Sequence, residues 1–337
     1  MTDSSHPVTL FTGQWADLPF EEVARLAASW GYDGLEIACS GDHLDLVRAD
    51  EDPAYLKSRL EVLDRYGLKA WAISNHLAGQ AVCDDPIDFR HQAIVRDYVW
   101  GDGVAEGVRQ RAAEDMKRAA RVARRLGVDT VVGFTGSKIW PYVAMFPPVP
   151  AWVIDEGYED FANRWNPILD VFDGEGVRFA HEVHPSEIAY DYWTTVRSLE
   201  AIDHREAFGL NWDPSHLLWQ GIDTVGFITD FADRIYHVDC KDTRLRPSTG
   251  RSGILGSHLS WGDPRRGWDF VSTGHGDMHW EDAFRALASI GYDGPISIEW
   301  EDAGMDRLHG AAEAVDWIRE LLWKRPETSF DAAFSNQ

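Results

Sequence analysis

Eight times in succession a short apolar run gives way to a longer amphipathic one, and this alternation limits the possible folds more than any other feature of the chain. VTLFTG (8–13) precedes PFEEVARLAASWG (19–31), GLEIAC (34–39) precedes PAYLKSRLEVLDRYG (53–67), and LKAWAISNH (68–76) precedes a long helical pattern within 104–127. DTVVGFTG (129–136) leads to 158–176, VRFAHEVH (177–184) to 192–202, and FGLNWD (208–213) to 222–232. RIYHVDC (234–240) and PISIEW (295–300) complete the series with 280–291 and 307–323. Short apolar runs bounded by turn residues read as strands, while apolar positions three and four apart read as helices. Alternating strands and helices require a parallel sheet, and eight such units in one stretch most simply close into a barrel. The expected fold is α/β: a single (β/α)8 TIM barrel over 1–337, with loose termini at about 1–6 and 325–337 and long loops after strands 4 and 7. An open doubly wound sheet is the alternative, but the glycine-rich phosphate turn it needs after the first strand is absent. GYDGLEIAC (31–39) and GYDGPISIEW (291–300) are near copies, the mark of one helix-to-strand turn used twice.

Ionisable groups gather where the later strands end. Glu182 and His184 close the fifth, Asp213 and His216 follow the sixth, His237, Asp239 and Lys241 lie along the seventh, and Glu299 ends the eighth. Residues two apart on a strand share a face, which groups Glu182 with His184, and His237 with Asp239 and Lys241. Burying so many charges is costly unless a cation or a substrate satisfies them. In a barrel the strand C-termini meet at one face, so these groups form a candidate site. Glu182, Asp213, His237 and Glu299, one from each of four adjacent strands, make an oxygen-rich set. Such a set suits one divalent ion, Mn²⁺ first, with Mg²⁺ or Co²⁺ possible.

Composition narrows the partners. Asp and Glu outnumber Lys and Arg by 56 to 32, and a formal charge of −24 repels nucleic-acid backbones and anionic membranes. No apolar run is long enough to span a bilayer and no leader is evident, so a cytoplasmic protein is expected. Three scattered cysteines, Cys39, Cys83 and Cys240, suggest neither a disulfide framework nor a thiolate zinc site.

The motifs EVH (182–184), WDPSH (212–216), HVDCKDT (237–243), GHGDMHW (274–280) and GYDGPISIEWED (291–302), in this order, resemble the sugar phosphate isomerase/epimerase family of xylose isomerase-like barrels. The resemblance implies that Glu182, Asp213, His237 and Glu299 bind one metal, that Glu182 and Glu299 double as an acid–base pair, and that His216 hydrogen-bonds substrate. It extends to the keto-sugar branch, which includes inosose dehydratases and the large subunit of C-glycoside deglycosidases. There it implies a base at His184. The expected activity is proton abstraction next to the carbonyl of a sugar or keto-sugar, leading to isomerisation, epimerisation or β-elimination. A non-catalytic sugar-binding or accessory barrel is the alternative. An abasic-site nuclease of the same superfamily fits less well, because strand seven reads HVD and the chain is acidic.

Further candidates for substrate contact are His76, Asp239, Lys241 and Trp15. For His76 a structural loop histidine, and for Asp239 and Lys241 an ordinary salt bridge, are equally open readings. Glu36 on strand two is a further residue that can face the barrel. The loop 137–157 combines Trp140, Tyr142, Phe146 and Trp152 with four prolines, and the loop 244–270 carries five arginines. The first is a candidate ligand cover, the second a candidate clamp for an anionic group, and a contact with another chain is the alternative for both, so a homo-oligomer, or a hetero-oligomer with a small partner subunit, is expected.

Overall fold

The computed structural model describes residues 6–143, 146–246 and 251–323. Eight parallel strands close into a barrel: β1 (Val8–Phe11), β2 (Gly34–Ala38), β3 (Lys69–Ser74), β4 (Thr130–Gly133), β5 (Arg178–Glu182), β6 (Phe208–Trp212), β7 (Ile235–Cys240) and, after a hairpin, β10 (Ile296–Ile298). Closure runs through Val8 opposite Ile296 and Thr9 opposite Gly34. Each of the eight sequence runs therefore supplies one staff of the barrel, trimmed by a residue or more where the strand enters a loop. Apart from His6, the termini expected to be loose lie outside the described residues. No helix among the described residues is long and apolar enough to cross a membrane.

The helices bury one face against the barrel and expose the other. In Ala105–Leu126 the buried positions Val108, Ala112, Met116, Ala119 and Ala123 repeat at three- and four-residue spacing, which keeps one stripe inward. The helix Ala151–Glu175 contributes Phe161, Trp165 and Phe172, all fully buried, to a ring cluster with Phe179 of β5 and Phe208 of β6. Several of the tryptophans, Trp15, Trp165 and Trp212 among them, are thus core residues.

The repeated GYDG segment is a helix stop. Gly31 and Gly291 end their helices at φ 92° and 76°, a left-handed conformation open to glycine, and the next residue, Tyr32 or Tyr292, donates its N–H back to Ala27 or Leu287.

Two regions differ from the sequence expectation. The helix after β4 starts at Ala151, seven residues earlier than its apolar pattern announced, with Pro150 at its N-cap, and it continues through an internal proline, Pro167, to Glu175. Trp152 is therefore helical, and the loop after β4 is shorter than 137–157. The arginine-bearing segment after β7 also has structure of its own. Its arms form an antiparallel hairpin, β8 (Asp242–Leu245) and β9 (Trp268–Val271).

Asp242 anchors the end of that excursion. Its carboxylate accepts the backbone N–H groups of Thr243, Gly274, Gly276 and Met278 and the indole N–H of Trp280. This knot ties HVDCKDT to GHGDMHW and accounts for both motifs structurally. A Cβ on Gly276 would stand 2.0 Å from Asp242 Oδ1. Gly276→Ala is therefore expected to cost about 1–3 kcal/mol of stability, the range for overpacking. Denaturant unfolding checks this, and an unchanged midpoint would show that the knot yields easily.

Candidate metal centre and active site

A cavity of about 660 Å³ opens at the C-terminal ends of the strands, with Glu182, His184, His216, Lys241 and Glu299 among the residues that line it. Phe11, Phe134, Trp261 and Phe270 contribute aromatic surface to it. Glu182, at the last position of β5, is the hub. One of its oxygens lies 2.9 Å from His76 Nε2 and the other 3.4 Å from His216 Nε2. Burial alone would raise its pKa, but the hydrogen bonds from His216 and His76 outweigh that and hold Glu182 well below the usual carboxylate range.

Ligand atoms of Glu182, Asp239 and Glu299 lie within 4.8 Å of one another. Each of the last two carboxylates is gripped by one oxygen. Asp239 Oδ2 accepts from Asn211 Nδ2 at 2.6 Å. Glu299 Oε1 accepts from Gln14 Nε2 at 2.8 Å and from Lys241 Nζ at 3.0 Å. The other oxygens, Asp239 Oδ1 and Glu299 Oε2, are buried without a hydrogen-bond partner among the described residues. Burial and neighbouring carboxylates push Asp239 up to about 7 and Glu299 well above its ordinary value, the latter despite Lys241. Oxygens brought together in this way, buried and unpartnered, fit a hard divalent cation.

The sequence set of four is not assembled as a unit. Asp213 caps the short helix Pro214–Leu218 through Oδ1, which accepts Ser215 N–H, and its Oδ2 lies 3.2 Å from His216 Nε2. His237 turns its Nε2 to Glu36 at 2.8 Å, across the barrel, and stands 3.6 Å from Asp239. Burial works against protonating His237, yet Glu36 and Asp239 prevail and push it up to about 10. Glu36 is correspondingly held down to about 2, burial being outweighed by His237 and by the hydroxyls of Ser297 and Ser74. Asp239 thus stands among the carboxylates, and His237 beneath them.

His184 packs edge-on against His216, ring centres 4.0 Å apart, and against Phe134 at 4.7 Å. Burial, reinforced by His216, pushes it well below the ordinary imidazole value, so it is neutral near pH 7. Burial also opposes protonation of His76, but Glu182 prevails and raises it. Lys241 is buried over the ring of Phe270 and stays cationic between Glu299 and Glu301.

Trp15 is not on the cavity wall. It is fully buried, packed against Trp30 with Arg307 over its ring, because the turn Gly13–Trp15 points it beneath the first helix. Its neighbour Gln14 lines the cavity instead and bridges Glu299 to Glu301. Nothing in the local sequence marks Gln14, whose position depends on Arg307 bonding its carbonyl from the far end of the chain. Glu301 was within reach of the alternation that found Glu299, two residues earlier in IEWED.

The profile of the xylose isomerase-like TIM barrel family matches residues 24–321. The chain belongs to this family. Among curated relatives, the uncharacterized protein YfiH of Bacillus subtilis is 26% identical over 330 residues, covering 92% of this chain and 97% of that protein. An inosose dehydratase of Clostridium perfringens is 23% identical over 168 residues, covering 49% of this chain and 55% of that protein. Similar solved structures include the 3-keto-D-glucoside 4-epimerase YcjR from E. coli, with TM-score 0.65 and 14% identity over 94% of this chain and 99% of that one. The IolI protein, solved with a bound zinc atom, has TM-score 0.63 and 16% identity over 96% of this chain and 100% of that one. The fold is thus shared with sugar epimerases and with a metal-binding protein.

The loop that brings Phe134 to the cavity is held by a buried carboxylate, Glu187. Glu187 accepts the N–H groups of Thr135 and Gly136 and the Thr135 hydroxyl. Burial, then Asp84 nearby, push it up to about 8 against those donors. A carboxyl with a raised folded pKa favours the native state most at low pH, and that contribution is lost as pH climbs from about 4.3, its ordinary value, to about 8. Glu187→Gln, which keeps an acceptor without titrating, is expected to flatten the stability–pH curve in that window. Urea titrations from pH 4.5 to 8.5 check this, and parallel curves for both proteins would refute it.

Proposed function

We propose that this protein is a divalent-metal-dependent enzyme that removes a proton from the carbon beside the carbonyl of a sugar or keto-sugar. The observation that carries the reading is the meeting of Glu182 and Glu299, which line the cavity, with Asp239 behind them, Asp239 Oδ1 and Glu299 Oε2 being buried and unpartnered. Such a set is self-repelling without a cation, and its oxygen donors suit Mn²⁺, with Mg²⁺ or Co²⁺ as alternatives. A cation held by these three residues would supply Lewis acidity toward a substrate carbonyl oxygen.

The remaining work belongs to the side chains. His184, neutral and on the cavity wall, accepts the proton. Lys241 donates to a substrate oxygen, and Glu299, which lines the cavity, returns a proton. His76 and His216 orient Glu182 and also line the cavity. Return of the proton to the other face of the same carbon is epimerisation, and return to the next carbon is isomerisation. Loss of a β-substituent is dehydration or glycoside cleavage, including cleavage of a 3-oxo-C-glycoside. The cavity volume lies within the roughly 300–1,000 Å³ range of sites for drug-sized ligands, and its aromatic wall supports a substrate with a group beyond the sugar ring.

The test is solvent exchange. With Mn²⁺ in D₂O, deuterium is expected at the carbon beside the carbonyl of a keto-hexose or 3-keto-glucoside. No incorporation across such a panel would favour a non-catalytic sugar-binding or accessory barrel.

A further inference from the structure

Beneath the three carboxylates lies a polar group that the chemistry above does not use. Glu36 on β2 and His237 on β7 sit on strands that are not hydrogen-bonded neighbours, so their 2.8 Å contact crosses the barrel interior. The Glu36 carboxylate also accepts the hydroxyls of Ser74 on β3 and Ser297 on β10. Both members of the pair are fully buried. A buried charge pair of this kind is often no more stable than two apolar side chains of similar volume, so packing alone does not explain it.

Asp239 supplies the reason. The His237 nitrogen that serves Glu36 at 2.8 Å also lies 3.6 Å from Asp239 Oδ1, the oxygen that Asn211 leaves open. One N–H cannot bond both acceptors at full strength, and the shorter contact belongs to Glu36. We infer that Glu36 is a positioning residue that draws the His237 N–H away from Asp239 and leaves Asp239 Oδ1 available to a divalent cation. Without Glu36 the N–H turns to Asp239, both Asp239 oxygens become occupied, and an incoming ion must break a hydrogen bond to bind. The inference rests on reading Glu182, Asp239 and Glu299 as the cation site.

Calorimetric titration of the purified chain with Mn²⁺ alone tests it, using Glu36→Leu, His237→Leu, the double variant and Asp239→Asn. Asp239→Asn is expected to lose the ion. Glu36→Leu is expected to bind about 10–100-fold more weakly, the usual effect of removing an outer partner of a ligand. His237→Leu and the double variant are expected to bind within about 3-fold of the parent, since the competing N–H has gone. Should Glu36→Leu fail to fold, Glu36→Gln keeps the volume with a weaker acceptor, and a loss of a few fold supports the same conclusion. A role in packing alone would lower the unfolding midpoint of Glu36→Leu and leave its Mn²⁺ affinity intact, which overturns the inference. Loss of the ion in His237→Leu would make His237 a ligand and overturn it too. Parent-like binding by Asp239→Asn would remove the site reading itself, a failure distinct from that of Glu36.

Discussion

Glu182→Gln, Asp239→Asn and Glu299→Gln are each expected to leave the protein folded, nearly free of divalent metal and without solvent-exchange activity. Each removes one carboxylate from a set of three whose ligand atoms lie within 4.8 Å of one another. A neutral amide offers the cation a weaker donor and leaves the two remaining carboxylates to balance its charge. The expected loss of affinity exceeds about 100-fold, the upper end of what outer-shell partners contribute. Elemental analysis after dialysis against Mn²⁺ is the measurement. One equivalent of metal in all three variants would show that the carboxylates do not form the site. The same measurement on Asp213→Asn completes the picture, because that residue shares His216 with Glu182 while its other oxygen caps a helix.

His184→Ala is expected to retain metal and substrate binding while losing about 10²–10⁴ in turnover, the range for a positioned general base. The imidazole lies on the cavity wall, and burial keeps it neutral. Pre-steady-state deuterium exchange reads the step directly. A small loss would leave the glutamates as the acid–base pair. A variant without metal would make His184 a ligand instead, since its ring, with Glu182 and His216, also meets the spacing for one.

The barrel was legible in the chain because each strand–helix unit writes its own period locally. Apolar runs gave the eight strands, three- and four-residue spacing gave the helices between them, and Gly31 and Gly291 marked their ends. Helix-terminating and turn chemistry is short-range, so no tertiary information was needed. The same locality brought Glu182, His184, His216, Lys241 and Glu299 to one cavity wall, because each follows or ends a strand at the same face of the barrel. It did not reveal the hairpin β8–β9, whose arms are separated by more than twenty residues and held together at a distance.

What the sequence by itself determined is the list of strands and the face on which each side chain lies. Which groups then meet was decided by the closed barrel. Alternation places His237 and Asp239 on one face, but it does not say which of them reaches the carboxylates of other strands and which reaches across to Glu36. The strand registers settle that, and they carry irregularities beside Glu36 and beside Asn211 that no local pattern announces. Trp15 and Gln14 are adjacent in the chain, yet one is core and the other holds Glu299, because a turn and a distant arginine orient them oppositely. A strand records its own faces in its sequence, while contacts across the barrel depend on seven other strands.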